Sequence, residues 1–112
     1  MAVKEGRRRR YIAFYINGLH DENVQVSDLI RALNFCCNDM FDKQTQEMKI
    51  RVISLNKDYG IVRCKHVEKE NVISLLNSIN KIGSRNVTIK TVGTSGTLHA
   101  LRKKYLKKNW CR

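Results

Sequence analysis

The sequence has no proline, few aromatic residues and no long apolar run. Aromatic side chains make up only 7% of its 112 residues. No proline-, glycine- or serine-rich linker divides the chain, and this length suits a single hydrophobic core. No apolar run approaches the roughly 20 residues that cross a bilayer. We therefore predict one cytoplasmic domain that does not contact a membrane.

Acidic residues are scarce and unevenly distributed. The chain has 10 acidic against 22 basic residues, a formal net charge of +12. Residues 1–10 hold five basic residues and one acidic one, residues 11–70 hold eight and nine, and residues 71–112 hold nine and none. A solvating coat would mix the two signs, so basic ends indicate a polyanionic partner. Nucleic acid is favoured over an acidic membrane surface.

Arrangements of catalytic or metal-binding residues are also missing. The four cysteines form no C-x-x-C pair and the three histidines are scattered, which argues against a zinc site or disulfides and favours reduced core thiols. His20, Asp21 and Glu22 are a weak cation candidate in one loop. That loop is acidic, which argues against an acylphosphatase-type anion site. We predict no catalytic residue and no metal ligand.

Hydrophobic periodicity predicts six elements followed by a basic helix. Tyr11–Asn17 alternates like a strand, and a helix capped by Ser27 buries apolar residues as far as Phe41. The other predicted elements are strands over 48–55 and 60–66, a helix over 68–82 that stops at Gly83, and a strand over 87–92.

This element order predicts an α+β fold of the ferredoxin-like type, which RNA-recognition motifs share: a four-stranded antiparallel sheet with two helices on one face. We assign residues 1–10 to a basic arm, 11–92 to the ferredoxin-like domain, and 93–112 to a loop and extra helix of the same domain. If the helices cover Ile12, Phe14 and Ile16, then Val62 and Cys64 also point inward. The open face would hold the residues Tyr11, Tyr15, Ile61, Arg63 and Lys65.

Three uses of this open face fit its mixture of residues: RNA stacking, a protein partner, or burial under the C-terminal helix. Stacking normally uses aromatic residues on both central strands, and the third strand offers none beyond Tyr59. We therefore favour protein contact or helix cover. The candidate protein-interface residues are Tyr11, Tyr15, Ile61 and Arg63.

A small-residue loop leading into a basic helix is the main candidate RNA site. Glycines, hydroxyls and a helix start together attract anions, although the same residues also serve as a simple turn and helix cap. Arg7–Arg10 would contribute in the same way, although alone they also fit a solubilising tail or a nuclear-import signal. The candidate RNA-binding residues are Arg7, Arg8, Arg9, Arg10, Gly93, Thr94, Ser95, Gly96, Thr97, Arg102, Lys103, Lys104, Lys107 and Lys108.

The chain resembles the archaeal ribonuclease P protein component 2 family over nearly its whole length. The resemblance lies in Arg10–Phe14, in Gly60–Cys64, and above all in Val92–Leu98 together with Ala100–Leu106. It implies a non-catalytic subunit of the ribonucleoprotein that removes 5′ leaders from precursor tRNA. The catalytic RNA would bind the magnesium ions, and this chain would bind no cofactor.

The resemblance also implies specific partners: the ribonuclease P RNA, protein component 3 in a two-plus-two assembly, other subunits, and precursor tRNA indirectly. The sequence has a short N-terminal arm and no acidic tail, which departs from the family pattern. The alternative function is a general RNA-binding or protein-interaction module of another ribonucleoprotein.

Overall fold

The computed structural model describes residues 9–18, 25–56, 59–83 and 85–103. Its strands are β1 (Arg9–Asn17), β2 (Arg51–Asn56), β3 (Tyr59–Lys65), β4 (Lys81–Ile82), β5 (Arg85–Asn86) and β6 (Thr88–Ser95). Its helices are α1 (Val26–Phe41), α2 (Lys69–Ser78) and α3 (Leu98–Leu101), and a 3₁₀ turn (His66–Glu68) precedes α2.

Four strands form one antiparallel sheet in the order β2-β3-β1-β6, and β4 and β5 form a separate two-stranded hairpin. Both strands at the sheet edges contain an extra residue. Ile53 of β2 is skipped in the pairing with β3, and Val92 of β6 is skipped in the pairing with β1. The fold is thus α+β with a four-stranded antiparallel sheet, as the sequence predicts.

The two long helices cover one face of the sheet. Leu29, Leu33 and Cys37 of α1 and Val72, Leu75 and Leu76 of α2 are buried in one cluster with inward residues of β1 and β3. The predicted inward set is confirmed. This set consists of Ile12, Phe14, Ile16, Val62 and Cys64, each 0–1% exposed.

The predicted helix boundaries need correction. Helix α1 begins at Val26 after Gln25, so Ser27 lies in the first turn and does not cap the helix. Helix α2 ends at Ser78, whereas the prediction extended it to residue 82. Ile79 and Ile82 are buried as the helical stripe required, but from extended backbone. Gly83 lies in the turn between β4 and β5 with φ +62°, so it does not end the helix.

The predicted strand boundaries also move. Residues 45–49 form turns in which Lys49 has φ 58°, so β2 starts at Arg51 and not at residue 48. Strand β6 continues three residues beyond the predicted end at Val92 because Gly93, Thr94 and Ser95 pair with the first half of β1.

Candidate nucleic-acid interface

Charge is segregated between the two sides of the sheet. None of the four sheet strands contains an aspartate or glutamate. The described acidic residues lie on α1, α2 and the segments beside them: Asp28, Asp39, Asp42, Glu47, Glu68 and Glu70. The ion pairs Lys43–Glu68, at 3.6 Å, and Lys69–Glu70, at 3.5 Å, are on that helix side. The sheet face away from the helices is therefore basic.

Strand register brings four basic residues together at one end of this open face. Arg9 of β1 lies opposite Lys65 of β3, and Arg51 of β2 lies opposite Arg63 of β3. All four alternate with residues packed against the helices, so their side chains project from the opposite face. We call Arg9, Arg51, Arg63 and Lys65 the basic quartet. Like charges in directly opposed positions destabilise a sheet, and an anionic ligand would offset that repulsion.

Arg63 has a buried donor for which the described residues offer no acceptor. Its Nε atom is buried, and among the described residues no group accepts a hydrogen bond from it. A buried donor without an acceptor costs about 1–3 kcal/mol. An anionic group bound at the basic quartet would neutralise charge beside this donor.

Arg10 points to the other side of the sheet and makes a contact within the domain. Its Nε donates a hydrogen bond to His66 Nδ1 at 3.0 Å, and its Nη1 would lie 3.7 Å from a Cβ built on Gly96. Of the two described arginines of the basic arm, Arg9 lies on the open face and Arg10 links β1 to the turn before α2. RNA binding by Arg10 stays a prediction.

The predicted loop over 93–97 is mostly strand. Gly93, Thr94 and Ser95 belong to the ladder with β1, so only Gly96 and Thr97 form the bend before α3. Thr97 caps α3, because its Oγ1 accepts a hydrogen bond from the Ala100 N–H at 3.2 Å. The Thr97 N–H in turn donates to Ser95 Oγ at 3.4 Å. The structure thus shows a sheet extension and a cap where we predicted a glycine-rich loop.

Helix α3 covers the middle of the open face. Leu101 is fully buried with Ala13 and Ile61, and Tyr11, Ile53 and Leu98 pack against this small cluster. Helix cover was one of the three predicted uses of the face. Ile61 is 0% exposed beneath α3 and so does not lie on an open surface, and its role at a protein interface stays a prediction. Tyr11, Tyr15 and Arg63 are half-buried, and their interface role stays a prediction.

Several predicted site residues lie at or beyond the limits of the described chain. Arg102 and Lys103 follow α3 and are exposed. The candidates outside the described residues are Arg7, Arg8, Lys104, Lys107 and Lys108, and the loop residues His20, Asp21 and Glu22 are outside them too.

The described cysteines are free thiols that stay protonated at neutral pH. Burial raises the pKa of the Cys64 thiol to about 12; nearby Glu68 adds to this effect and Arg10 opposes it. Burial also raises the pKa of Cys36 and Cys37. Because the thiolate is the reactive form of cysteine, we expect these three thiols to be unreactive. Within the described ranges, no three His, Cys, Asp or Glu side chains are grouped to hold a metal ion. No described helix is long and apolar enough to cross a membrane.

Sequence reasoning missed part of the basic face. Arg51 and Lys90 were not candidates, and Lys65 was placed on the open face without a role. The alternation of inward and outward residues along each strand could have placed Arg51 and Lys90 on the open face. That Arg51 lies opposite Arg63, and Lys90 opposite Tyr15, follows only from the strand register, which the structure shows.

The sequence is similar to those of several known proteins. The Rpp14/Pop5 family model matches residues 10–106. Relatives named ribonuclease P protein component 2 include those of Archaeoglobus fulgidus, 30% identical over 88% of this chain and 89% of the relative, and Pyrococcus furiosus, 28% identical over 88% and 83%. The relative from Methanosarcina barkeri is 26% identical over 88% of this chain and 73% of its own length.

A solved structure shares the fold. One chain in the cryo-EM structure of yeast ribonuclease MRP aligns with a TM-score of 0.67 at 13% identity, covering 91% of each chain. The family match begins in β1, includes the other three strands of the sheet and ends at residue 106, after α3. The chain belongs to the Rpp14/Pop5 family.

Proposed function

We propose that this chain is a non-catalytic, RNA-binding protein subunit of ribonuclease P and supports removal of 5′ leaders from precursor tRNA. Family membership and the name shared by its archaeal relatives support the particle. The observation that supports RNA contact is the basic quartet on a sheet whose four described strands contain no aspartate or glutamate. Four cations on adjacent strands can neutralise phosphates of an RNA backbone.

The chain's contribution would be electrostatic and architectural. Phosphate contacts by Lys and Arg position an RNA without reading its bases. By neutralising phosphates the protein would help the catalytic RNA keep its active fold, and the magnesium ions would be held by that RNA. Arg102 and Lys103, at the end of α3, would extend the same surface.

We further propose a ferredoxin-like arrangement, in which α3 is an addition that packs on the open face. The order β2-β3-β1-β6, with both long helices on one side, supports this assignment. Protein component 3 is the proposed protein partner, in a two-plus-two assembly. Tyr11 and Arg63, half-buried beside α3, are candidate contacts for it.

A pair of matched double variants tests RNA contact. Arg51→Gln with Lys65→Gln removes two charges from the open face, and Arg31→Gln with Lys81→Gln removes two exposed charges elsewhere. We expect the first pair to reduce the slope of log affinity against log salt by about 1.4–1.8, since each phosphate contact contributes about 0.7–0.9. The control pair should leave the slope unchanged.

The measurement is titration of ribonuclease P RNA with the full chain at several salt concentrations. Leader cleavage, reconstituted with that RNA and component 3, should fall with the first pair only. Equal slopes for the two pairs would remove the open face from the RNA interface. In the same assay, changing Arg102, Lys103 and Lys104 to Ala tests the basic segment after α3 independently.

A further inference from the structure

Two tyrosines lie directly opposite each other on the two central strands of the sheet. Tyr15 of β1 pairs with Tyr59 of β3. Their neighbours Phe14 and Ile16 are buried toward the helices, and a Cβ on Gly60 would lie 2.7 Å from Phe14 Cζ. Both tyrosines therefore project from the open face, and both are half-buried.

A lysine completes this row on the other side of Tyr15. Lys90 of β6 pairs with Tyr15, so the row runs Tyr59, Tyr15, Lys90 across three adjacent strands. Lys90 is exposed. Asn56 Nδ2 donates a hydrogen bond to Tyr59 Oη at 3.3 Å, which fixes one edge of that ring. The aromatic row is thus flanked by a cation on strands without any carboxylate.

The aromatic row and the basic quartet are at opposite ends of the same face. Tyr15 and Tyr11 are four residues apart on β1, which corresponds to about 13 Å along a strand. Leu101 of α3 covers Ala13 and Ile61 between them. One RNA chain passing beside α3 can therefore reach both ends, with phosphates at the basic quartet and bases at the tyrosines.

We propose that Tyr15 and Tyr59 form a stacking platform for unpaired RNA bases and that Lys90 contacts the adjacent phosphate. This inference rests on the proposed RNA-binding function and specifies the class of RNA, single-stranded rather than duplex. Bases inside a duplex are already stacked on each other, whereas unpaired bases stack on aromatic side chains of a sheet. The flanking lysine favours a phosphate-bearing occupant over a neutral one.

The test compares Tyr15→Leu with Tyr59→Leu against Tyr15→Phe with Tyr59→Phe in the full chain. The probes are an unstructured 12-nucleotide RNA and a duplex of the same length. Stacking is lost with leucine and kept with phenylalanine. We expect the leucine pair to weaken single-strand binding at least about tenfold, with little change for the duplex or in the salt slope. The phenylalanine pair should bind like wild type.

Equal single-strand affinity of the leucine and phenylalanine pairs would overturn the platform. If the leucine pair keeps that affinity but no longer assembles with other protein subunits, the tyrosines belong to a protein interface and the platform is again overturned. Salt-sensitive binding by wild type would persist in both cases, so the proposed function would stand. Absence of salt-sensitive binding by wild type would instead overturn the proposed function.

Photocrosslinking gives a second measurement that does not depend on how the variants fold. A 4-thiouridine-containing single strand is irradiated with the wild-type chain, and the crosslinked peptides are identified by mass spectrometry. We expect crosslinks in the peptides that contain Tyr15 and Tyr59. Crosslinks confined to other peptides would overturn the platform.

Discussion

Gly60 shows how one small residue sets the distance between β3 and its neighbours. A Cβ built on it would lie 2.7 Å from both Phe14 Cζ and the Ser54 carbonyl oxygen. Real Cβ atoms do not approach other atoms so closely, and Ser54 O is part of the backbone next to the extra residue of β2. A larger residue would have to displace both the core and the edge strand.

We therefore expect Gly60→Ala to lower the free energy of unfolding by about 1–3 kcal/mol, the usual cost of overpacking a core. The melting temperature should fall by at least about 4 °C. Gly96→Ala is the matched control, because a Cβ there has only Arg10 Nη1 nearby, at 3.7 Å. Thermal unfolding followed by circular dichroism measures both. Similar losses in the two variants would contradict the packing argument.

The inward or outward orientation of single side chains on the strands could be predicted from sequence. The alternation of Ile12, Phe14 and Ile16 has period two, and a strand has the same period, so their burial follows from pattern alone. The bond from Arg10 to His66 could not be predicted, because it joins residues 56 positions apart. Such contacts depend on which segments the fold brings together.

Helix α3 is capped by a single side chain. It is the single turn Leu98–Leu101, and Thr97 Oγ1 caps that turn by accepting a hydrogen bond from the Ala100 N–H. Its burial rests on Leu98 and Leu101 against the sheet. Loss of the cap would therefore loosen the cover over Ala13 and Ile61.

We expect Thr97→Ala to destabilise α3 by about 1 kcal/mol, the typical value of a helix cap. Hydrogen exchange at the Ala100 and Leu101 amides should accelerate about fivefold. Thr97→Ser keeps the hydroxyl and should exchange like wild type. If the serine and alanine variants exchange at the same rate, the hydroxyl does not cap α3.

Element type was easier to predict than element boundaries. The four sheet strands and the two long helices were predicted in the right order, but α1 and β2 begin, and α2 and β6 end, elsewhere than expected. A local pattern cannot distinguish buried Ile79 and Ile82 on a helix from the same residues in extended backbone. The extension of β6 to Ser95 depends on the partner strand, because its pairing with Tyr11 crosses more than 80 residues.

The distribution of charge over the folded protein differs from its distribution along the sequence. The sequence concentrates excess charge at its two ends, whereas the structure also gathers cations from the neutral middle segment onto one face. Arg51, Arg63 and Lys65 come from that segment. The acidic residues that the structure describes in this segment lie on the helix side, so a count of charges over residues 11–70 conceals the basic face.

The clustering of basic residues on one face predicts that the melting temperature of the protein without RNA depends on salt concentration. Repulsion between Arg51 and Arg63 is screened at high ionic strength, so raising NaCl from about 0.05 to about 0.5 M should raise the melting temperature. Arg51→Gln should be more stable than wild type at low salt and respond less to added salt. Differential scanning calorimetry measures both effects, and Arg31→Gln provides the control. A wild-type melting temperature that does not rise with salt would contradict the repulsion.

The extra residues in β2 and β6 have a consequence for the protein before it meets any partner. A regular strand at a sheet margin is a template on which another chain can add, and this is a route to aggregation. Here both marginal strands break their regular spacing, at Ile53 and Val92, and both carry cations, at Arg51 and Lys90. Irregular spacing and mutual charge repulsion disfavour strand addition between copies. Both edges of the sheet thus disfavour polymerisation of newly made chains.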